Sequence, residues 1–190
     1  MSELPISGLQ MVEEDAASGQ VSEIFGNIQR VMEIPFVPNI DKAAAGAANV
    51  LQATWDVFRN IFLSTSLPMS LASMIMYSIA VARKCRYCSA VHQVTCKTLG
   101  VEEETLAALQ ADLGALTPQR VSVIVAFAQK CALDPQGLVE ADYEAVRDQG
   151  VSEQELVEII GLAALGNYLD TLTDAMKVEI DQVFTEALRG

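Results

Sequence analysis

Cys85-Arg86-Tyr87-Cys88-Ser89-Ala90-Val91-His92 is the stretch on which the reading of this chain turns. Two cysteines at a C-x-x-C spacing can close a disulfide reversibly, and each can lower the other's pKa. His92 is the only histidine of the chain and follows four residues after Cys88. The usual home of a C-x-x-C is a thioredoxin-type unit, which needs strands on both sides of the motif. Here both flanks read as helix. Alanine, leucine, glutamate and methionine are plentiful, and no period-2 run is bounded by hairpin turns. The fold class expected is therefore all-α. On one helix, Cys85, Cys88 and His92 fall at i, i+3 and i+7 and share a face. A neutral imidazole beside a thiol is the minimum for making a thiolate near neutral pH.

Working outward, the cysteine helix is expected to stop at Gly100, with Lys97 in its last turn. Ser66-Leu67-Pro68 opens the preceding helix, which runs to about residue 83. A helix over about residues 41–63 carries Trp55, the only tryptophan, and a first helix spans about residues 14–33, weakened by Ser18-Gly19. Between these two, Ile34-Pro35-Phe36-Val37-Pro38-Asn39 is an extended connector, because its prolines exclude helix. Downstream, residues 101–111 form a short helix. Thr117-Pro118 reads as an N-cap with a first-turn proline opening a helix to about residue 133, and residues 138–149 form another. Ser152-Glu153-Gln154-Glu155 is a capping box that opens a long apolar helix to about residue 172, and the last helix runs to 188. The 190 residues are expected to form a single helical domain, with an N-terminal arm over about residues 1–40 and a core over about 41–190.

Composition limits the function. The formal charge of -13 argues against nucleic acid and anionic membranes as partners. Residues 57–101 contain no Asp or Glu, yet hold Arg59, Arg83, Lys84, Arg86 and Lys97. This local positive island is expected to favour thiolate over thiol. Residues 1–5 show no basic region followed by an apolar stretch, and the apolar run over residues 67–82 is short and interrupted, so a cytoplasmic protein is expected. Cys85, Cys88, His92 and Cys96 look like a Cys₃His zinc set. On one helix, however, they span roughly 16 Å, against metal bonds of about 2–2.3 Å, so no metal is expected. Cys96 and Cys131 read as buried thiols, and Met69, Met74 and Met76 as core.

Leu67-Pro68, an apolar helix and then Cys85-x-Tyr87-Cys88-x-x-x-His92 resemble the AhpD-like (alkylhydroperoxidase D) branch of the carboxymuconolactone decarboxylase superfamily. The 34–39 connector resembles that of its peroxidase-related members. Leu116-Thr117-Pro118 and Gly166-Asn167-Tyr168 resemble their C-terminal half. The resemblance implies an AhpD-like multi-helix bundle with the C-x-x-C at the start of a core helix, assembled as a trimer or hexamer. It implies reduction of hydroperoxides in antioxidant defence, with no metal or organic cofactor. In that scheme Cys88 attacks the peroxide and becomes a sulfenic acid, Cys85 resolves it to a disulfide, and His92 helps move the proton. A thiol or dihydrolipoyl-type donor restores the dithiol. One departure stands out: the family's glutamate twelve positions before the first cysteine is Ser73 here, and a hydroxyl is no carboxylate base. The relay then runs through His92 and water, with Ser73 and Tyr87 as candidate members, or another carboxylate such as Asp170 or Asp174 has taken over. The alternatives are a disulfide reductase or redox sensor with little peroxidase turnover, a lactone-decarboxylase-like enzyme, and a non-catalytic oligomeric member.

Overall fold

A computed structural model describes residues 9–189, and within them the chain is helical with no strand. The reading of residues 1–5 lies outside the described residues. The helices are α1 (Gly19–Met32), α2 (Asn39–Ala44), α3 (Ala48–Phe58), α4 (Met69–Arg83), α5 (Arg86–Thr98), α6 (Glu103–Ala111), α7 (Gln119–Leu133), α8 (Glu140–Asp148), α9 (Glu153–Met176) and α10 (Gln182–Ala187).

α4 is the axis of the bundle. Every residue from Leu71 to Ala80 is buried, and α5, α6, α7 and α9 pack around it. A helix apolar on all sides has to be surrounded in this way. α9 lies closest where Gly166 meets Ile79, since a Cβ at Gly166 would come within 3.1 Å of an Ile79 methyl carbon. Next to it, the Asn167 amide donates to the Ala132 carbonyl at 2.7 Å and satisfies the end of α7. The expected capping box is present: Glu155 N–H donates to Ser152 Oγ at 3.2 Å, and Ser152 N–H to Glu155 Oε2 at 2.7 Å. A second cluster, with Ile24, Phe25, Ile28, Leu51 and Trp55, joins α1 to α2 and α3.

Several boundaries differ from the expectations. The helix expected over 41–63 breaks at Ala45-Gly46-Ala47 into α2 and α3, which lets each turn its apolar side toward α1, and it ends in a π-turn, Arg59–Leu63. Pro118, with extended backbone, occupies the N-cap position of α7, so Thr117 does not cap it. α9 runs a turn beyond residue 172, because the buried Thr173 is held in the helix by its hydroxyl bond to the Leu169 carbonyl at 3.0 Å.

Candidate active site

The turn from α4 into α5 sets the cysteine pair. Lys84 takes the left-handed conformation (φ 61°), Cys85 N–H reaches the Ala80 carbonyl at 2.9 Å, and Lys84 N–H reaches Val81 at 3.0 Å. This is a Schellman ending with a lysine where glycine is usual, at a cost of roughly 1–2 kcal/mol. Cys85 is thereby the N-cap of α5, with extended backbone, and Cys88 lies in its first turn. Cys85 therefore stands at the end of α5 and not inside it, yet both sulfurs face Thr173.

Cys85 is fully buried and faces α9. Its Sγ lies 3.2 Å from Thr173 Oγ1, and Cys88 Sγ lies 3.6 Å from the same oxygen. One hydroxyl so placed suits both redox-active forms of sulfur. It accepts from a thiol while donating to the Leu169 carbonyl, or donates to a thiolate instead. Asp170, one helical turn from Thr173's bonding face and 1% exposed, completes the group: both sulfurs and a carboxylate oxygen lie within 4.8 Å of one another. Of the described residues, these three have the spacing of metal ligands, in place of the Cys₃His set considered from sequence. Arg83 Nε approaches Asp170 Oδ2 at 3.2 Å.

The electrostatics differ from expectation. Cys88 is raised well above the usual thiol range, first by its hydrogen bond to Cys85, then by burial and the nearby Asp170 charge. The positive island is dissipated by acids from outside it. Arg59 pairs with Asp56 at 3.1 Å, Arg83 with Asp170, and Lys97 with Glu103 at 2.6 Å. Lys84 and Arg86 are exposed. Asp170 is itself raised by burial, with the two thiols and Arg83 opposing.

On its other side Cys88 enters the wall of a cavity of about 590 Å³ that Cys85 does not reach. Val91, His92 and Thr95 continue the α5 wall. Trp55, Phe58 and Phe62 face it from α3 and the π-turn, and Phe36 and Phe184 meet edge-on at 6.1 Å where the connector touches α10. The lining is strongly apolar. His92 is buried, its ring 5.8 Å from that of Phe62, and burial pushes its pKa down to about 4, so it is neutral. Its Nδ1 has no hydrogen-bond partner, and neither sulfur bonds to the ring among the described residues.

The remaining sequence candidates separate. Ser73 is buried in α4 with its hydroxyl unpartnered and does not line the cavity. Tyr87 does line it, but its hydroxyl donates to Asp181 Oδ2 at 2.8 Å. Burial, then Asp181, holds that phenol well above its usual range. Cys96 and Cys131 stand away from the cavity, raised by burial to about 12 and about 11. Sequence reasoning missed Thr173, Asp41, Asp181 and the aromatic wall. Only Asp41, two residues beyond the connector, had a local signal near it.

Fold and site together define an all-helical protein with a buried dithiol, one sulfur of which opens onto an apolar cavity. Residues 48–129, which include Cys85, Cys88 and His92, match the Carboxymuconolactone decarboxylase family. The matched stretch runs from α3 into α7, and the AhpD-like fold is shared with the solved structures that follow. An uncharacterized peroxidase-related protein from Silicibacter sp. TM1040 superposes with a TM-score of 0.83 at 20% identity, over 96% of this chain and 95% of that one. An AhpD-core, uncharacterized peroxidase-related protein from Ralstonia eutropha JMP134 gives 0.82 at 19% identity, over 92% of each. A debrominase in complex with 2,3,4-tribromopyrrole gives 0.79 at 17% identity, over 95% of each. No curated protein sequence matches the chain.

Proposed function

We propose that the protein is a cysteine-based thiol peroxidase that reduces organic hydroperoxides through a Cys85–Cys88 dithiol/disulfide cycle. The observation that carries this reading is the division between the sulfurs: Cys88 lines the cavity, while Cys85 lies behind it on the same Thr173 hydroxyl. A peroxide in the cavity meets Cys88 alone. Asp170, close to both sulfurs, takes the thiol proton as Cys88 attacks, which offsets the raised thiol pKa. The sulfenic acid then faces Cys85, and the disulfide forms with loss of water. An external thiol or dithiol donor reopens it. Neutral His92 lends its ring nitrogens to the bound substrate. The cavity volume is many times the roughly 30 Å³ share of a water molecule, so an organic hydroperoxide fits it better than hydrogen peroxide does.

The likeness to the debrominase favours a second reading. A halogenated aromatic would suit the same aromatic wall, with two thiol electrons releasing halide in place of alcohol and water. One experiment separates them. The purified protein with a dithiol donor should consume cumene hydroperoxide and release no bromide from bromopyrroles; bromide release without peroxide loss would replace the first reading with the second. The assembly is proposed as a homo-oligomer. Val157, Ile160, Ala164 and Tyr168 form an exposed stripe along α9, as expected of an interface between copies. A monomer by light scattering at micromolar concentration would refute it.

A further inference from the structure

Among the described residues, the cavity wall holds one carboxyl, that of Asp41, and no lysine or arginine. Asp41 is 7% exposed, yet its side-chain oxygens take no hydrogen bond from the described residues; only its backbone is engaged, with Pro38 and Ala45. Lys42, next in the chain, is turned away to Glu13 at 3.0 Å and Glu14 at 3.8 Å. The neighbouring carboxyl, Asp181, is differently served. It accepts Tyr87 Oη at 2.8 Å and Asn39 N–H at 2.9 Å. Two adjacent buried carboxyls cannot both ionise cheaply, and the hydrogen-bonded one keeps the charge. Asp41 is thus the member that carries a proton, and it carries it on the wall of the cavity that Cys88 lines.

We propose that Asp41 is the general acid of this site, protonating the oxygen that departs when Cys88 attacks an organic hydroperoxide. This rests on the peroxidase reading. The Cys88 sulfur bonds the terminal oxygen of R–O–OH, the O–O bond breaks, and sulfur is oxidised to S–OH. The alkoxide RO⁻ takes the Asp41 proton and leaves as ROH. The Cys85 thiol then condenses with the sulfenic acid to give disulfide and water, and the proton that Cys88 gave to Asp170 returns to Asp41 through solvent. The acid comes from α2, a different element from that carrying Ser73, so the loss of a carboxylate at Ser73 does not leave the reaction without a proton source. Burial and the Asp181 charge raise Asp41 to about 7, where it gives and regains a proton at neutral pH. Of the groups around it, Asp181 acts on Asp41 directly, Tyr87 and Lys42 act on Asp181, and neutral His92 lines the same cavity.

The test compares two oxidants of Cys88, cumene hydroperoxide and 4,4′-dithiodipyridine, followed by stopped-flow fluorescence of Trp55. The second has a leaving group that needs no proton. Asp41→Asn should slow the hydroperoxide reaction by about 100-fold and the disulfide reaction by less than about threefold. Equal losses, or no loss, overturn the proposal. In the wild-type protein the ratio of the two rates, which cancels thiolate formation, should fall above about pH 7; a flat ratio overturns it whether or not the variant folds. Wild-type protein that reacts with the disulfide but not the hydroperoxide removes the peroxidase reading, and this role with it.

Discussion

Behind the cysteine pair, Thr173 and Asp170 of α9 form a packed polar group with Arg83, and Cys85 is enclosed by protein. In front of Cys88 the opposite holds. The wall is apolar and aromatic, and two of its polar groups, the Asp41 carboxyl and His92 Nδ1, make no side-chain hydrogen bond among the described residues. Satisfied polar groups fix geometry, whereas unsatisfied buried ones cost stability and persist where a ligand uses them. On the proposed function, the rear of the site handles the electrons of the dithiol, and the front selects and protonates what is reduced.

The sharpest way to break this comparison is to remove each sulfur in turn. Cys88→Ser should abolish hydroperoxide reduction, and Cys131→Ser should leave it nearly intact. Cys85→Ser should let Cys88 stop at sulfenic acid, trapped by a dimedone-type probe and read by mass spectrometry. Equal damage from Cys131→Ser in a folded protein would put the site elsewhere. Next in size, Asp170→Asn should slow Cys88 oxidation by about 100-fold for hydroperoxide and disulfide alike, because it acts on the thiol and not on the leaving group. A loss confined to the hydroperoxide would move Asp170 to the front of the site.

A smaller effect is expected at Ser73. The hydroxyl of Ser73 and Nδ1 of His92 are both buried without partners among the described residues, and Ser73→Glu supplies a carboxylate where the resembled family has one. Turnover should rise by about tenfold or less, with a lower Tm from the buried charge. A rise of about 100-fold or more would show that Asp170 and Asp41 do not carry the proton transfers.

The smallest effect is thermal and pH-dependent. Asp41 is raised from 3.8 to about 7. Its stability contribution is whole below pH 3.8 and is lost as pH rises through 7, because the unfolded carboxyl ionises first. His92 is lowered from 6.5 to about 4, so its contribution is whole above pH 6.5 and is lost as pH falls through 4. Asp41→Asn should therefore raise Tm by a few degrees at pH 8 and hardly at pH 4. Equal gains at both would show that no charge is held back at the cavity wall.

Much of the architecture was legible in the chain because its signals are local. Gly100, Ser152-Glu155 and the prolines at 35 and 38 act within a few residues, and the helices end or begin near them. The break at Ala45-Gly46-Ala47 was not legible, since helix propensity there is overridden by the need to pack α2 and α3 on α1. The pairing of Cys85 and Cys88 was visible from spacing. Which sulfur lines the cavity was implied only by the family resemblance and not by the spacing, because it depends on Lys84 turning the chain so that Cys85 ends outside α5.

By itself the sequence determined an all-helical chain and a dithiol at the head of a core helix, for both are written in residues a few positions apart. Only the tertiary structure decided the charge around the thiols. Beside the sulfurs, Asp170 of α9, distant in sequence, pairs with Arg83 of the apparent positive island. It alone brought Asp41 and Asp181, 140 residues apart, to Tyr87 beside the cavity. Electrostatic and packing energies depend on distance through space, and chain order does not contain that distance.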